Sequence, residues 1–253
     1  MTRPGRSTPS LNSDKAPDLH LSIVVPAYNE QARIEHSLDN LVTYLSRQDY
    51  CWEVLIADDG SDDDTAALIA ARADGESVRL LKLAHRGKGA AVRAGMLQAR
   101  GRYRMMCDAD LAMPVEWISD FVSAMKHGHD IVIGSRQIEG ARRFDEPAVR
   151  HLMGRLFNWC VRAVAVRGFE DTQCGFKCFT DRAAEALFPL QRSNGFGFDV
   201  ELLYLAARAK MNVTEIPIDW HHQPVSKVRP FLDPVLMLRD ALAVRLNSAL
   251  RRY

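Results

Sequence analysis

Three acidic segments in the sequence each follow an apolar run with the length of a buried strand. Residues 26–30 read Pro-Ala-Tyr-Asn-Glu, residues 58–63 read Asp-Asp-Gly-Ser-Asp-Asp, and residues 108–110 read Asp-Ala-Asp. In an open parallel sheet, ligands bind beyond the carboxyl ends of the strands, so we expect these segments to share one edge. Carboxylates gathered there repel one another unless a cation neutralises them. A divalent metal held together with a diphosphate would do so, because Mg²⁺ and Mn²⁺ bind oxygen ligands.

The third segment has the spacing of a pair of metal ligands. Alternate residues of an extended segment project to the same side, so Asp108 and Asp110 can both face one metal ion. Asp59 and Glu30 could instead accept hydrogen bonds from a base or a ribose. A lone Asp-x-Asp is a weak signal, because turns use Asp freely. Three acidic strand ends in this order are a stronger indication of a site for a nucleotide diphosphate.

The elements that must position these segments alternate between strands and helices along the first half of the chain. Periodicity predicts strands at 21–27, 52–57, 78–84, 103–107 and 130–134, and helices at 30–47, 64–73, 89–99 and 115–126. This alternation predicts an α/β fold with a mostly parallel central sheet and helices on both faces. In the second half we predict helices at 148–166, 199–209 and 234–253, and strands at 175–180 and 213–218.

The domain organisation follows from the same pattern. Residues 1–19 are rich in Pro, Ser, Asp and Arg and show no periodicity, which predicts a disordered arm. No linker or repeat divides the rest, so residues 20–253 are predicted to form one domain. Within it we distinguish a first half at about 20–136, a second half at about 137–233, and a C-terminal amphipathic helix at 234–253.

Composition and charge place the chain among ordinary globular proteins. Apolar residues make up 47% and charged residues 26% of the chain, and the formal charge of +1 gives no indication of a nucleic-acid partner. The five cysteines, without a secretion signal before them, are interpreted as reduced thiols in a cytoplasmic protein. Cys174 and Cys178 could alternatively form a metal pair. No apolar stretch approaches the roughly 18 residues that a spanning helix needs.

The three acidic segments together resemble the nucleotide-sugar domain of inverting family 2 glycosyltransferases, and the resemblance extends from about Leu21 to the C-terminus. It implies a GT-A type nucleotide-diphospho-sugar transferase fold that uses Mg²⁺ or Mn²⁺. It also implies that Asp108 and Asp110 serve the diphosphate and its metal. The donor-binding candidates are Pro26, Tyr28, Glu30, Asp58, Asp59, Lys88 and Asp108.

The segment Gly87-Lys88-Gly89 follows a strand and opens a helix, yet it matches neither common phosphate-binding loop. A Walker A loop needs a different glycine spacing and a hydroxyl residue after the lysine. A dinucleotide fingerprint needs a glycine where Val92 stands. The family resemblance implies that Lys88 lies near the sugar or the phosphate, and a tight helix entry without a ligand is the alternative.

Motifs in the second half bear on the acceptor. Residues 171–177 (Asp-Thr-Gln-Cys-Gly-Phe-Lys), 196–201 and 215–220, with Lys227, resemble the dolichyl-phosphate glucosyltransferases, which are close to the mannose synthases. The resemblance implies transfer of a hexose, glucose from UDP-glucose, onto a polyprenyl phosphate. An acceptor phosphate is already anionic at pH 7 and needs cations to hold it, for which the candidates are Arg136, Arg150 and Lys227.

The roles of several of these residues have alternatives. Arg136 could form a salt bridge with an acidic turn instead of binding phosphate. If the acceptor is a hydroxyl, Asp199 or Asp171 becomes the candidate base, although Asp199 could also cap a helix. At Arg150 the chain departs from the mannose synthases, which have a serine one helical turn later where Gly154 stands here. The catalytic candidates are Asp110, Arg136 and Asp199.

Two predicted helices combine leucines with arginines. In the last one, leucines recur every four residues, at Leu238, Leu242, Leu246 and Leu250, with arginines largely off that stripe. Such a helix could lie in an anionic membrane interface or pack on its own domain. With a lipid phosphate as the acceptor, we expect a protein peripheral on the inner, cytoplasmic face of the membrane, where a membrane protein could be a partner.

Other functions remain open at this point. A donor such as GDP-mannose, or a soluble or hydroxyl acceptor, would keep the enzyme class and change the substrate. Nucleotidyl transfer also uses acidic strand ends with metal, and it would release pyrophosphate from a nucleoside triphosphate. A non-catalytic module would bind a nucleotide without turnover.

Overall fold

A seven-stranded sheet lies at the centre of the part of the chain that the computed structural model describes, residues 19–147, 166, 168–223 and 232–253. Its first half consists of four parallel strands, β1 (Leu21–Ala27), β2 (Trp52–Asp58), β3 (Val78–Lys82) and β4 (Tyr103–Met106). They lie side by side in the order β3-β2-β1-β4. All seven residues of β1 are buried, as expected of a strand covered on both faces.

The second half of the sheet is built from β5 (Ile131–Ser135), β7 (Lys177–Thr180) and β8 (Val213–Pro217). β7 lies between β4 and β5 and is antiparallel to both, whereas β5 and β8 are parallel. The prediction of a mostly parallel sheet is confirmed. Because β7 runs in the opposite direction, the residues just before Lys177 reach the edge at which the parallel strands end.

A separate two-stranded parallel ribbon, which the sequence did not predict, joins β6 (Arg142–Phe144) to β9 (Asp219–His221). Its strands continue from β5 and β8, since Ile218 N–H donates to Ser135 O and Arg142 N–H donates to Ile218 O. The ribbon also contacts the turn after β4, because His221 N–H donates to Ala112 O at 2.7 Å. It therefore lies on the same side of the molecule as the acidic segments.

The helices agree with the sequence predictions to within a few residues. They are α1 (Ile34–Leu45), α2 (Thr65–Ala70), α3 (Lys88–Gln98), α4 (Ile118–Lys126), α5 (Asp181–Leu187), α6 (Phe198–Arg208) and α7 (Leu232–Ala249). A 3₁₀ turn, Val115–Trp117, precedes α4. α5 was not predicted; its start is fixed by the Thr180 side chain, which accepts a hydrogen bond from Ala183 N–H.

The described cysteines fit the interpretation as free thiols. Cys107, Cys174 and Cys178 are buried and Cys51 is exposed. Burial raises the pKa of Cys174 to about 12. Among the described residues no group of three or more His, Cys, Asp or Glu side chains could hold a metal unaided, which gives the Cys174–Cys178 pair no further ligand. The predicted arm at 1–19, apart from its last residue, and the predicted helix at 148–166, apart from its last residue, lie outside the described residues, as do Arg150 and Lys227.

Candidate active site

The turns after β1 and β2 are joined by hydrogen bonds into one surface. Asn29 N–H donates to Ser61 Oγ at 2.9 Å, and Asp62 N–H donates to Asn29 Oδ1 at 2.9 Å. Glu30 N–H donates to Thr65 Oγ1 at 2.7 Å, and α1 begins four residues later, at Ile34. Asn29 has a φ of 51°, a left-handed conformation that asparagine tolerates well. The first two acidic segments are therefore fixed relative to each other.

The adjacent carboxylates Asp58 and Asp59 have different surroundings. Asp58 is 3% exposed and accepts hydrogen bonds from the hydroxyl and the backbone N–H of Ser61, so it shapes its own turn. Asp59 is 2% exposed, and its two oxygens accept the backbone N–H groups of Arg86 and Gly87 at 2.9 and 2.8 Å. Asp59 thus holds the loop that leads into α3. Its binding of a base or a ribose stays a prediction.

An aromatic pair lies next to Asp59. The rings of Tyr28 and His85 stack with centroids 4.1 Å apart, and His85 Nδ1 lies 2.9 Å from Asp59 Oδ2. Tyr28 was a donor-binding candidate, whereas His85 belongs to no motif and was missed. Flat, partly exposed rings beside a carboxylate suit a nucleobase, which stacks through its face and hydrogen-bonds through its edge. A further donor candidate, Pro26, lies within β1 and is buried in the sheet opposite Ala57.

Lys88 connects the second and third acidic segments. It is the first residue of α3, directly after the loop that Asp59 holds, and its Nζ lies 2.5 Å from Asp108 Oδ1. Both side chains are about a quarter exposed, so the pair is open to a ligand. The loop is tightly constrained, because Gly87 has a φ of 112° and a Cβ there would lie 2.6 Å from Asn194 O. The helix entry is tight, as that alternative expected, and Lys88 pairs with Asp108; whether it also binds the sugar or the phosphate stays a prediction.

The pair Asp108 and Asp110 lies in the turn that follows β4. Ala112 N–H donates to Asp110 Oδ1 at 3.1 Å, and Ser37 Oγ donates to the carbonyl of Ala109 between the two acids at 2.7 Å. Burial and the charge of Asp108 raise the pKa of Asp110, so negative charge is crowded at this point. A Cβ on Gly175 would lie 2.0 Å from Asp108 Oδ2, so the residues before β7 pack directly on this carboxylate.

Arg136, which follows β5, forms a two-pronged ion pair with Asp171. Its Nε and Nη2 donate to the two carboxylate oxygens at 2.7 and 2.9 Å, and its backbone N–H adds a third bond at 3.0 Å. Of the two alternatives for Arg136, the ion pair is observed, although its partner is Asp171 and not one of the acidic turns. The Arg136 charge lowers the pKa of buried Asp171 to about 2. Both oxygens of Asp171 accept hydrogen bonds from Arg136, and a role of Asp171 as a general base stays a prediction.

This ion pair predicts how stability depends on pH. The folded-state pKa of Asp171 lies below its ordinary value of 3.8, so its contribution is complete above that value and is lost as the pH falls towards about 2. The shift corresponds to about 2 kcal/mol. We expect the difference in unfolding free energy between the protein and its Asp171→Asn variant, measured in urea, to narrow by about that amount across this window. If the difference in unfolding free energy between the protein and Asp171→Asn is the same at about pH 6 and at about pH 3, the Arg136–Asp171 ion pair does not lower the pKa of Asp171.

A second buried ion pair, between Lys177 and Asp199, lies behind the Asp108 turn. The Lys177 side chain is fully buried at the start of β7; its Nζ pairs with Asp199 and donates to the carbonyl of Cys174 at 2.5 Å. Asp199 is 5% exposed, and its burial raises its pKa while the charges of Lys177 and Lys88 oppose that rise. The residue at the N-cap position of α6 is Gly197, and no side chain caps this helix. The alternative of Asp199 as a helix cap is therefore wrong, and Lys177 was missed.

The ribbon of β6 and β9 covers the Arg136 side of the site. The Arg136 guanidinium lies 5.6 Å from the ring centroid of Trp220. Arg143 donates from Nε to the carbonyl of Arg136 at 3.0 Å and pairs with Glu146. These contacts fix the backbone and the guanidinium of Arg136 from two directions. The described site thus places two acidic turns, the Asp108–Asp110 pair, Lys88 and Arg136 along one edge of the sheet.

Comparison with known families decides the class of this site. The family model for glycosyl transferase family 2 matches residues 22–182, which include all three acidic segments. The chain belongs to glycosyl transferase family 2. It is therefore a glycosyltransferase, as the resemblance of its acidic segments to this family had implied.

Among family 2 relatives, several dolichyl-phosphate beta-glucosyltransferases align with nearly the whole chain. The protein of Dictyostelium discoideum is 36% identical over 96% of this chain and 79% of the relative. That of Saccharomyces cerevisiae is 33% identical, with 98% and 81% covered, and that of Homo sapiens is 34% identical, with 92% and 76% covered. The predicted resemblance to this branch of the family is confirmed.

Solved structures confirm the GT-A type fold. Glucosyl-3-phosphoglycerate synthase from Mycobacterium tuberculosis, in complex with Mn²⁺, UDP and glucosyl-3-phosphoglycerate, superposes with a TM-score of 0.64. The alignment covers 90% of this chain and 79% of that chain at 19% identity. The same synthase with Mg²⁺ and UDP also gives a TM-score of 0.64. A divalent metal is thus compatible with this fold.

Proposed function

We propose that the protein is an inverting glucosyltransferase that moves glucose from UDP-glucose onto the phosphate of a polyprenyl lipid of the dolichyl phosphate type. The observation that carries this proposal is the junction at Lys88, which links the Asp59 loop to Asp108 beside Asp110. This junction puts a nucleoside surface and an acidic pair at one edge of the sheet. The relatives named dolichyl-phosphate beta-glucosyltransferase support glucose as the sugar and a lipid phosphate as the acceptor.

We also propose that Asp108 and Asp110 hold Mg²⁺ or Mn²⁺. Both are oxygen ligands, and a cation would offset the burial and the charge of Asp108 that raise the pKa of Asp110. Two carboxylates do not complete the coordination of either ion, so the diphosphate of the donor supplies further oxygens. When bound, the ion neutralises negative charge on the diphosphate that departs. Lys88, at the N-terminus of α3, adds a fixed positive charge at the same place.

The reaction in this proposal is a direct displacement at C1 of the sugar. A phosphate oxygen of the acceptor forms the new bond to C1, while the bond from C1 to the diphosphate oxygen breaks and its electron pair leaves with UDP. Attack from the opposite face turns an α-linked donor into a β-linked product. No proton has to be removed, because a phosphate monoester is already anionic at pH 7. Asp199 would act as a base only for a hydroxyl acceptor.

The acceptor phosphate requires cations, for which Arg136, Arg150 and Lys227 are proposed. Arg136 lies at the edge of the site, but a phosphate would have to share its guanidinium with Asp171. Fixed by Asp171 and the ribbon, this guanidinium offers a charge that need not be ordered when the acceptor binds. Arg150 and Lys227 lie outside the described residues. For the phosphate acceptor the proposed catalytic residues are Asp110 and Arg136, and Asp199 joins them only if the acceptor is a hydroxyl.

A lipid acceptor implies that the protein works at a membrane surface. Among the described residues, no helix has both the length and the apolar character needed to cross a bilayer. We propose peripheral association with the inner, cytoplasmic face, with a membrane protein as a potential partner. Within one domain at 20–253, the donor half at about 20–136 would bind the nucleotide sugar and the half at about 137–233 the lipid phosphate.

Transfer to lipid tests this function directly. The protein is incubated with detergent-solubilised polyprenyl phosphate, Mn²⁺ and labelled UDP-glucose, GDP-mannose or dTDP-glucose, and label in the organic phase is counted. We expect label from UDP-glucose alone. Label from GDP-mannose would support the mannose alternative, and label only in added soluble acceptors would exclude the lipid. Pyrophosphate release from a nucleoside triphosphate would indicate nucleotidyl transfer instead.

A further inference from the structure

The outer face of α7 and the residue after its end carry an exposed stripe of leucines. Among the described residues, five large apolar side chains are exposed, and three of them, Leu242, Leu246 and Leu250, lie on this stripe. They are 55%, 59% and 52% exposed. The other two, Leu97 and Leu190, are isolated in sequence and less exposed, at 42% and 39%. Exposed leucines that cluster on one stripe are typical of a surface that contacts another protein or a membrane.

The leucine stripe is not the face by which α7 packs on its own domain. That face is formed by Ala241 and Val244, which are 0% and 2% exposed. On the same side, Ser193 Oγ donates to Asp240 Oδ2 at 3.1 Å, and a Cβ on Gly197 would lie only 2.5 Å from Asp240 Cβ. α7 therefore has two apolar faces, one of which is already used. The alternative that the leucines pack on the domain is wrong for the three exposed ones.

Arginines flank the leucine stripe. At 100° per residue, Arg239 and Arg245 lie about 60° to either side of Leu242 around the helix. Both are exposed, and two further exposed arginines, Arg251 and Arg252, follow the end of the helix. Long basic side chains can extend past apolar neighbours and keep their charge among lipid headgroups. Leucines between basic flanks are complementary to the interface of an anionic bilayer, where the acyl boundary is apolar and the headgroups are negative.

The helix also lies next to the candidate active site. Gln173 Nε2 lies 3.8 Å from Met237 Sδ, on the first half of α7. Gln173 stands between Asp171, which binds Arg136, and Gly175, which packs on Asp108. Met237 lies on the packing side of α7, so a surface bound by the outer face would be separated from this part of the site by about the diameter of the helix, roughly 10 Å.

We propose that the outer face of α7, formed by Leu242, Leu246 and Leu250 with Arg239 and Arg245, docks on an anionic membrane surface. The docking itself is argued from the surface of α7. Its role, to bring the active site to a lipid acceptor, rests on the proposed function. The leucines enter the acyl boundary while the arginines bind headgroup phosphates. A second copy of this chain is the competing occupant, and the experiment below separates the two.

Vesicle sedimentation tests the docking surface. The full chain is mixed with phosphatidylcholine vesicles that contain about one third phosphatidylglycerol, and with vesicles of phosphatidylcholine alone. We expect the original protein to bind the anionic vesicles. In the triple variant Leu242→Gln/Leu246→Gln/Leu250→Gln, the affinity for these vesicles should fall by about tenfold or more. Arg239→Gln/Arg245→Gln should lose about tenfold on anionic vesicles. The matched control Leu97→Gln/Leu190→Gln removes exposed leucines elsewhere and should bind like the original protein.

Several outcomes would overturn the proposal. They are absence of binding to anionic vesicles, an equal loss in the control, or a dimer that the triple variant converts to monomers while vesicle binding is unchanged. Thermal unfolding shows whether the triple variant keeps its fold, which we expect because its substitutions are at exposed positions. Transfer to a short, water-soluble prenyl phosphate needs no vesicle and should be unchanged in the triple variant. A failure of the proposed function would appear there, in the original protein, and so is distinguishable from a failure of docking.

Discussion

Replacing Asp110 with alanine should lower kcat/KM for glucose transfer about a thousandfold, equivalent to about 4 kcal/mol of transition-state stabilisation. Asp110 lies beside Asp108 in the turn after β4, where the pKa of its carboxyl is raised by burial and by its neighbour. Without it, the site loses one of the two carboxylates proposed to hold the divalent cation. The measurement is steady-state transfer from UDP-glucose with Mn²⁺ at saturating lipid acceptor.

The control for this variant is Asp49→Ala. Asp49 is an exposed carboxylate in the loop before β2, at the opposite edge of the sheet from the acidic turns. Its replacement should leave transfer within about twofold of the original protein, since exposed positions away from the site have small effects. If Asp110→Ala transfers glucose as fast as Asp49→Ala does, the acidic pair is not the site of reaction.

Lys177→Met is expected to have the largest effect on stability, a loss of about 3 to 5 kcal/mol. The Lys177 side chain is fully buried and pairs with Asp199, which is itself 5% exposed. Methionine fills a similar volume but leaves the Asp199 carboxylate buried without its partner, which is far more costly than losing an exposed pair. Chemical denaturation at neutral pH measures the loss. It should shrink in acid, where Asp199 takes up a proton and no longer needs a cation.

The double variant Lys177→Met/Asp199→Asn separates the ion pair from simple packing. With the charge at Asp199 removed as well, we expect at least about 2 kcal/mol of the loss to be recovered. If the two single losses add in the double variant, the residues do not stabilise each other and the pairing is not what holds this region.

Much of the sheet could be predicted because its strands are continuous apolar runs. β1 was predicted with its observed bounds, since a fully buried strand ends where an acidic turn begins. The direction of β7 could not be predicted, because it depends on pairing with β4 and β5, far away in sequence. The ribbon of β6 and β9 was missed for a related reason. Its strands are short and polar, and an ion pair between Arg142 and Asp219 joins them across 77 residues.

The clustering of the acidic turns was predictable, whereas the partners of individual side chains were not. Parallel strands bring their carboxyl ends to one edge, and Lys88 indeed lies between the Asp59 loop and Asp108. Nothing local in the sequence marks the stacking of His85 on Tyr28, or the pairing of Lys177 with Asp199. Both depend on loops that approach only in the folded chain.

The orientation of α7 could not be predicted from its leucine stripe either. Its period of four was visible in the sequence, but the period does not say which face turns inward. Ala241 and Val244 are buried and α7 contacts α6, whereas the three leucines are exposed. Which face turns inward depends on contacts with residues distant in sequence, which the period of four does not encode.

The most direct test of the acidic edge as a nucleotide-sugar site is calorimetric titration of UDP-glucose into the protein with Mn²⁺ and, separately, with EDTA. We expect UDP-glucose to bind the original protein in the presence of Mn²⁺. The affinity should fall by about tenfold or more when EDTA replaces Mn²⁺, and by a similar factor in Asp110→Ala with Mn²⁺ present. Equal affinity in all three titrations would show that the donor binds elsewhere or without these carboxylates, and would contradict the account.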